Sequence, residues 1–302
     1  MILQSSNVLE SFISSEAIAP SYEASQVVIL PVPYEYTTTY RKGCKNGPAA
    51  ILNASCQLEA YDEELEREIC NQIGIYTHPT VADSCVDPDL APELMLQQTE
   101  RAVSKLIADN KFVITLGGEH SITAGVVKAY QKKYQEPFTV VQIDAHGDLR
   151  HQYLGSIYNH ACVMRRILDL NLPILPVGIR SICIEEAKLI KERQIPVIWA
   201  KDLANDPDWI EKAIAAIKTP KVFITIDLDG IDPSSLPGVG TPEPGGLSWY
   251  AILKFLKTIF QTYEVIGCDV MELAPVQDSV VSQYTAAKLV YKSIGYHSIS
   301  KT

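Results

Sequence analysis

Long apolar runs are missing from this chain. No stretch approaches the roughly 18 residues that a membrane-spanning helix needs, and the N-terminus has no basic flank before its weak apolar patch. The expectation is a protein neither secreted nor membrane-spanning. Cysteine pairing is missing too: Cys44, Cys56, Cys70, Cys85, Cys162, Cys183 and Cys268 are scattered, form no CxxC pair and are odd in number. Such a pattern reads as reduced thiols in a cytoplasmic protein rather than a disulfide framework. Positive charge is in deficit, with 26 Lys and Arg against 36 Asp and Glu for a net charge of -10. That balance argues against a nucleic-acid partner and favours small cationic molecules. Internal repeats, low-complexity segments and linker-like breaks are also absent. With 47% apolar and 21% charged residues, the chain can close a large core, and residues 1–302 read as one domain.

What is present is three apolar runs that each end in potential metal ligands. Residues 112–118 lead into Glu119 and His120, residues 138–143 into Asp144, His146 and Asp148, and residues 222–226 into Asp227 and Asp229. Runs of this length, rich in Val, Ile and Phe and bounded by Gly or Asp, have the signature of buried parallel strands. In open α/β sheets, ligands bind in the crevice beyond the carboxyl ends of the strands, where these residues fall.

The same alternation extends along the chain. After a leader, strands are expected at 27–32, 113–116, 140–144, 174–177, 197–199, 222–227 and 265–271. Helices are expected at 47–59, where Pro48 occupies the first turn, and at 93–108, 121–134, 161–170, 185–193, 208–217, 248–263 and 281–296. Strand-then-helix repetition means right-handed crossovers and a mainly parallel sheet covered on both faces.

Asp144, His146 and Asp148 lie two apart, so an extended backbone puts all three side chains on one face, and Asp227 and Asp229 repeat that spacing. Singly, Asp-x-His and Asp-x-Asp are ordinary turn or cap sequences. Two His and four Asp behind three buried strands, however, confine carboxylates that cations must neutralise. The donors are too many for one tetrahedral zinc and too rich in imidazole for magnesium, so two Mn(II) ions fit best, with nickel or cobalt as possible substitutes. Four ionised Asp cancel two dications, and a bridging hydroxide leaves the centre at about -1, a site suited to a cationic substrate.

These residues resemble the ureohydrolases, the arginase and agmatinase family that splits guanidino compounds into urea and an amine. The resemblance rests on GGEHSIT at 117–123, DAHGD at 144–148, the His160 region, DLDGIDPSSLPGVGTPEPGGL at 227–247 and DVMELAP at 269–275. It implies a three-layer α/β/α sandwich around a central, mainly parallel sheet of about eight strands, the arginase-like fold, usually assembled as trimers or hexamers. It also implies that His120 belongs to a first manganese and His146 to a second, with Asp144 and Asp227 bridging them. Asp148 would complete the first site and hold the bridging hydroxide, and Asp229 would complete the second. His160 matches the family's proton donor to the departing amine, and Glu272 the carboxylate that binds the guanidinium. A residue titrating near neutrality suits that protonation. His160 can also be read as a cap of the helix that follows. Glu119 and Asp232 read as loop-holding groups, and Cys162 as a buried small hydrophobe.

Arg150 stands where arginases carry an Asn that helps hold the amino-acid carboxylate, so the arginine-specific pattern is absent. The loop 149–159 looks instead like agmatinase, whose reaction gives urea and putrescine, placing the chain in polyamine biosynthesis. Arg150 and Asn159 are then candidate substrate contacts, and residues 37–46, with Tyr40, Arg41 and Lys42, a candidate pocket rim. Arg150 in a substrate loop favours a carboxylate-bearing tail such as guanidinobutyrate unless it is neutralised in an ion pair within the loop or between subunits. Three readings stay open: hydrolysis of agmatine; hydrolysis of guanidinobutyrate, guanidinopropionate, guanidine, arginine or a formimino compound; and a noncatalytic guanidino-binding member of the fold.

Overall fold

Every residue of strand β1 (Val27–Val32) is buried, yet neighbours go opposite ways: Val27 and Ile29 join one hydrophobic cluster, Val28, Leu30 and Val32 another. This period-two division is what a strand covered on both faces requires. It recurs at Ile114 against Val113, Val141 against Val140, and Ile224 against Phe223. The computed structural model that reveals it describes residues 11–14 and 20–300. Of the leader, residues 1–10 and 15–19 lie outside the described residues.

Strands β2 (Tyr61–Asp62) and β3 (Arg67–Glu68) form a separate antiparallel hairpin. Strands β4 (Ile75–Thr77), β5 (Phe112–Gly117), β6 (Thr139–Ile143), β7 (Ile174–Ile179), β8 (Ile198–Trp199), β9 (Lys221–Asp227) and β10 (Glu264–Met271) join β1 in one eight-stranded sheet. Its order is β4-β1-β5-β10-β9-β6-β7-β8, and every pairing in it is parallel.

The helices are α1 (Gly47–Ser55), α2 (Cys70–Ile73), α3 (Pro92–Ala108), α4 (Thr123–Lys133), α5 (Val163–Asp169), α6 (Ile184–Arg193), α7 (Ala200–Leu203), α8 (Trp209–Ala216), α9 (Trp249–Thr262) and α10 (Val281–Ile299). Ile51 of α1, Ile210 of α8, Ile252 of α9 and Leu289 of α10 pack on one sheet face. Met95 of α3, Val126 of α4 and Met164 of α5 pack on the other. The result is the three-layer α/β/α sandwich with eight parallel strands that the sequence led us to expect. None of the described helices is long and apolar enough to cross a membrane, and no disulfide joins any of the cysteines among the described residues.

Departures from the expected elements have local causes. The helix expected over 47–59 stops at Ser55, whose hydroxyl donates to the Leu52 carbonyl at 2.6 Å and accepts the Ile13 N–H at 2.9 Å. Such side-chain bonds compete with helical ones. The β2–β3 hairpin was not expected because its sequence is acidic and polar. It is held by buried Lys292, which meets Asp62 at 3.0 Å, Glu63 at 3.1 Å and Glu64 at 3.4 Å. The edge strand β4, only three residues long, was likewise unexpected.

At the head of β5 the backbone is pressed against a neighbour: a Cβ on Gly118 would fall 2.0 Å from the Tyr34 carbonyl oxygen. Backbone cannot yield as a flexible side chain can, so Gly118→Ala should cost about 2 kcal/mol or more. Urea unfolding checks this, with a lower midpoint expected at an unchanged m value.

Candidate active site

Four neighbouring strands deliver the site. β5, β10, β9 and β6 lie side by side at the centre of the sheet. Beyond β5 comes His120, beyond β10 Glu272, at the end of β9 Asp227 and beyond β6 Asp144. The ends are tied together: the His120 backbone N–H donates to Glu272 Oε1 at 2.7 Å, and the Ala145 N–H to Asp229 Oδ1 at 3.0 Å.

Past the strands the chain curls rather than continuing extended, which corrects the one-face geometry expected from the spacing. Asp144 Oδ1 accepts the His146 N–H at 2.6 Å, and Asp227 Oδ1 accepts the Asp229 N–H at 3.0 Å across a 3-10 turn, Leu228–Gly230. An Asp bonding two residues ahead is an Asx turn, and it folds the segment back on itself. Asp148 and Glu272 take left-handed backbone conformations, φ 51° and 67°. Non-glycine residues adopt these at a cost of order 1 kcal/mol, and such strain concentrates at functional sites.

The curled segments still bring the predicted side chains together. His120 Nδ1 lies 3.2 Å from Asp144, 3.1 Å from Asp148 and 3.3 Å from Asp227, all at carboxylate oxygens. His146 Nδ1 lies 2.9 Å from Asp229 and 3.6 Å from the other oxygen of Asp144. Asp144 thus reaches both groups, while the contact of Asp227 is with His120. Donor atoms of His120, Asp144 and Asp148 lie within 4.8 Å of one another, as do those of Asp144, His146 and Asp229.

The residues present fit a pair of divalent cations. His120 Nδ1 is buried without a hydrogen-bond partner although three carboxylates surround it. Its Nε2 meets the Thr225 hydroxyl at 2.8 Å, which leaves Nδ1 as the nitrogen for a cation. Asp148 is pushed up to about 7 by burial and then by the charge of Asp144, and Asp227 is raised well above the carboxylate range by burial and by Asp229 and Asp144. Burial disfavours charge on His146, but Asp229 and Asp144 overcome it and raise the ring to about 12. The cluster therefore demands positive charge.

A cavity of about 240 Å³ opens onto the cluster, lined by His146 and Asp229 and also by Asp148 and Asp227. The His146 side chain is 26% exposed, whereas His120 is sealed at 1%. Glu272 and His160 line the cavity, with Tyr40, Arg150, Tyr153 and Glu186. Glu272 is pushed up to about 8 by burial and by the charge of Glu119. His160 departs from the near-neutral titration expected of it: burial, and then the neighbouring His146 and His120, lower it to about 4. Arg150 stacks over the Tyr153 ring at 4.7 Å and makes no ion pair among the described residues, so the ion pair weighed for it within the loop is replaced by a cation–π contact. Arg41 also lines the cavity, but its guanidinium is committed to the Pro275 carbonyl at 2.9 Å.

Asn159, an expected substrate contact, is not among the residues lining this cavity. It is buried off the cavity wall, and its side-chain oxygen accepts the Ala161 N–H at 3.0 Å, so Asn159, not His160, caps the turn that carries His160. Asp232 holds its loop by accepting from Ser234, Gly245 and Gly246. Glu119 holds the segment at Tyr36 and Thr37. Sequence reasoning missed Thr37, whose hydroxyl lies 3.1 Å from His160 Nδ1, and Glu186, whose carboxylate accepts from Leu149 and Cys183 N–H groups. Neither carries a local motif.

A parallel α/β/α sandwich with a His and Asp cluster beyond its central strands defines the class of hydrolases of the arginase-like fold. A model of the arginase family matches residues 25–295, and the chain belongs to that family, whose members hydrolyse guanidino C–N bonds. It is 58% identical over 287 residues to an N(1)-aminopropylagmatine ureohydrolase of a Synechocystis species, covering 95% of this chain and 94% of that one. It is 34% identical to an agmatinase of Bacillus anthracis over 86% of this chain and 87% of that one. The structure of an agmatine ureohydrolase from Thermoplasma volcanium superposes with a TM-score of 0.83 at 32% identity, covering 96% of this chain and 95% of that one.

The crowding of carboxylates has a signed consequence for stability. Asp148 titrates at about 7 in the folded protein, against about 3.9 in an unfolded chain. The folded state therefore binds the extra proton between those values, and stability from this group falls as pH rises through that window. In chelator at pH 8, Asp148→Asn should exceed wild type by about 1 kcal/mol or more, about 2–4 °C in Tm. In Mn(II) the order should reverse, because a ligand is gone. Thermal unfolding of both proteins under both conditions reads the inversion.

Proposed function

We propose that this protein is a dimanganese amidinohydrolase that releases urea from N(1)-aminopropylagmatine, with agmatine, yielding putrescine, as the second reading. The observation that carries the choice is the 58% identity over 95% of the chain to a relative bearing the first name. Further support comes from the cavity wall, where the Glu186 carboxylate makes no ion pair among the described residues and suits a substrate with an additional ammonium.

In this reading His120, Asp148, Asp144 and Asp227 would hold one ion and His146 and Asp229, with Asp144 and Asp227, the other, with nickel or cobalt as alternatives to manganese. When bound, the ions supply Lewis acidity and acidify the water that attacks the guanidinium carbon. Glu272, at the cavity floor beside the His120 backbone, pairs with the guanidinium and orients its carbon. The substrate's charge favours the ionised form of a carboxyl otherwise pushed up to about 8. His160 gives a proton to the departing nitrogen, without which the C–N bond does not break to release a neutral amine. Arg150 lies over the Tyr153 ring and forms a side of the cavity. The chain acts as one domain over residues 1–302, in the cytoplasm, as a homo-oligomer of three or six copies.

A urea-release panel on Mn(II)-loaded protein tests the reading. N(1)-aminopropylagmatine should exceed agmatine in kcat/KM by about tenfold, the worth of one added charged contact of about 1.4 kcal/mol. Arginine, guanidinobutyrate, guanidinopropionate, guanidine and formimino compounds should trail far behind. Turnover should vanish with chelator and return with Mn(II), and His160→Asn should lower kcat about 100-fold. Faster turnover of guanidinobutyrate would overturn the substrate assignment and make Arg150 a carboxylate anchor.

A further inference from the structure

Glu119 lies one residue before His120, fully buried, and is tied to the opposite side of the site. Its Oε2 accepts the backbone N–H groups of Tyr36 at 2.5 Å and Thr37 at 2.6 Å. Its Oε1 accepts the hydroxyls of Ser121 at 2.5 Å and Thr37 at 2.7 Å. Thr37 Oγ1 in turn receives the His160 backbone N–H at 3.0 Å and lies 3.1 Å from His160 Nδ1. Three segments remote in sequence therefore meet on one hydroxyl.

A threonine hydroxyl has one proton to give and two lone pairs. The carboxylate of Glu119 is an acceptor only, so the Thr37 proton is committed to it. Towards His160 the same oxygen is left as an acceptor, and it already takes the His160 main-chain N–H. Its contact with Nδ1 is favourable only if Nδ1 carries hydrogen. We infer that Thr37, oriented by Glu119, is a positioning residue that locks His160 in the Nδ1–H tautomer and reserves Nε2 for proton exchange with the substrate.

The inference rests on the reading of His160 as proton donor and adds which atom does the work. The ring rests neutral and takes its second proton, at Nε2, from the water that attacks the guanidinium carbon; Nε2–H then transfers that proton to the departing nitrogen as that nitrogen takes the electron pair of the breaking C–N bond. The ring returns to the neutral Nδ1–H form. The bond to Thr37 persists through both states, so the ring need not turn or change tautomer during the cycle. Were Nδ1 bare instead, Thr37 Oγ1 would face it lone pair to lone pair.

Solid-state 15N spectra of [15N]histidine-labelled protein, loaded with diamagnetic Zn(II) and assigned by loss of the signals in His160→Asn, read the tautomer directly. Wild type should show His160 with Nδ1 protonated and Nε2 bare. Thr37→Val should move the ring towards the Nε2–H tautomer and lower kcat of the Mn(II) enzyme roughly 10- to 100-fold, part of what a positioned general acid supplies. KM should stay within about threefold, the pattern of an interaction lost in the transition state alone. Thr37→Ser should restore both the spectrum and most of kcat. A wild-type spectrum with His160 protonated at Nε2 overturns the inference even if the variants fail to fold. So does a Thr37→Val enzyme with unchanged kcat, or one that loses kcat while its His160 remains Nδ1–H. Full turnover by His160→Asn would instead overturn the proton-donor reading and leave the tautomer assignment standing.

Discussion

Carboxylates confined where water cannot reach them are the constraint on which this molecule is organised. Asp144, Asp148, Asp227 and Asp229 are all nearly or fully buried, and Glu119, Glu272 and Asp269 are buried around them. Two unit charges 4 Å apart interact by about 4 kcal/mol at an effective dielectric constant of 20, so these groups would separate if the backbone allowed it. The sheet does not allow it. Each acidic segment is fixed at its base by a strand covered on both faces, and neighbouring strands set the spacing. Backbone N–H groups of His146, Ala145 and Asp229 then fix which way the carboxylate oxygens point. The Arg180 guanidinium, bound to the Asp229 and Glu243 carbonyls at 2.7 Å each, fastens the 229–243 segment without neutralising any carboxylate.

Beneath the His and Asp groups lies a line of polar side chains inside the sheet. Thr225 pairs in register with Asp269, and Asp269 with Thr115 on the next strand. Polar residues at the centre of a sheet are expensive unless partnered. Thr225 Oγ1 accepts from His120 Nε2, and the Asp269 carboxyl is pushed up to about 6 by burial although the Thr225 and Thr123 hydroxyls oppose the shift. Neither Asp269 oxygen completes a hydrogen bond of full geometry. The interior stability given up there is the counterpart of an oriented imidazole at the crevice.

The strands and the acidic motifs were legible in the sequence for the same reason. Burial on both faces leaves uninterrupted apolar runs, and ligands crowded within five residues of a strand end stand out against them. What was not legible depends on long-range contact. β4 exists because β1 offers it an edge, and the β2–β3 hairpin because Lys292 approaches from the other end of the chain. Asn159 was taken for a substrate contact because it adjoins His160, but nothing in its identity separates a residue facing the cavity from one capping the turn behind it. Thr37 opens the loop expected as a pocket rim, but nothing local singles it out, and it lies 123 positions from His160 in sequence. The extended geometry expected for Asp144, His146 and Asp148 is interrupted by the Asx turn of Asp144, although His146 still pairs with Ser181 beyond the strand end.

The two His and Asp groups are chemically alike but differ in access, and that difference gives the site a direction. The His120 ring is sealed, while the His146 ring, 26% exposed, faces the cavity lined by Arg150, Tyr153 and Glu186, onto which Asp148 and Asp227 also open. The cavity is lined by exposed Tyr40 as well as by His146, His160 and the buried Glu272. Under the proposed function the reacting carbon must therefore sit over the open group, its cationic end drawn inward by an acid whose ionisation the empty crevice opposes. The inner group then serves mainly to fix charge and geometry from behind. Such a division follows from strand order, because His120 leaves β5, on the far side of β10 and β9 from the β6 terminus that carries His146.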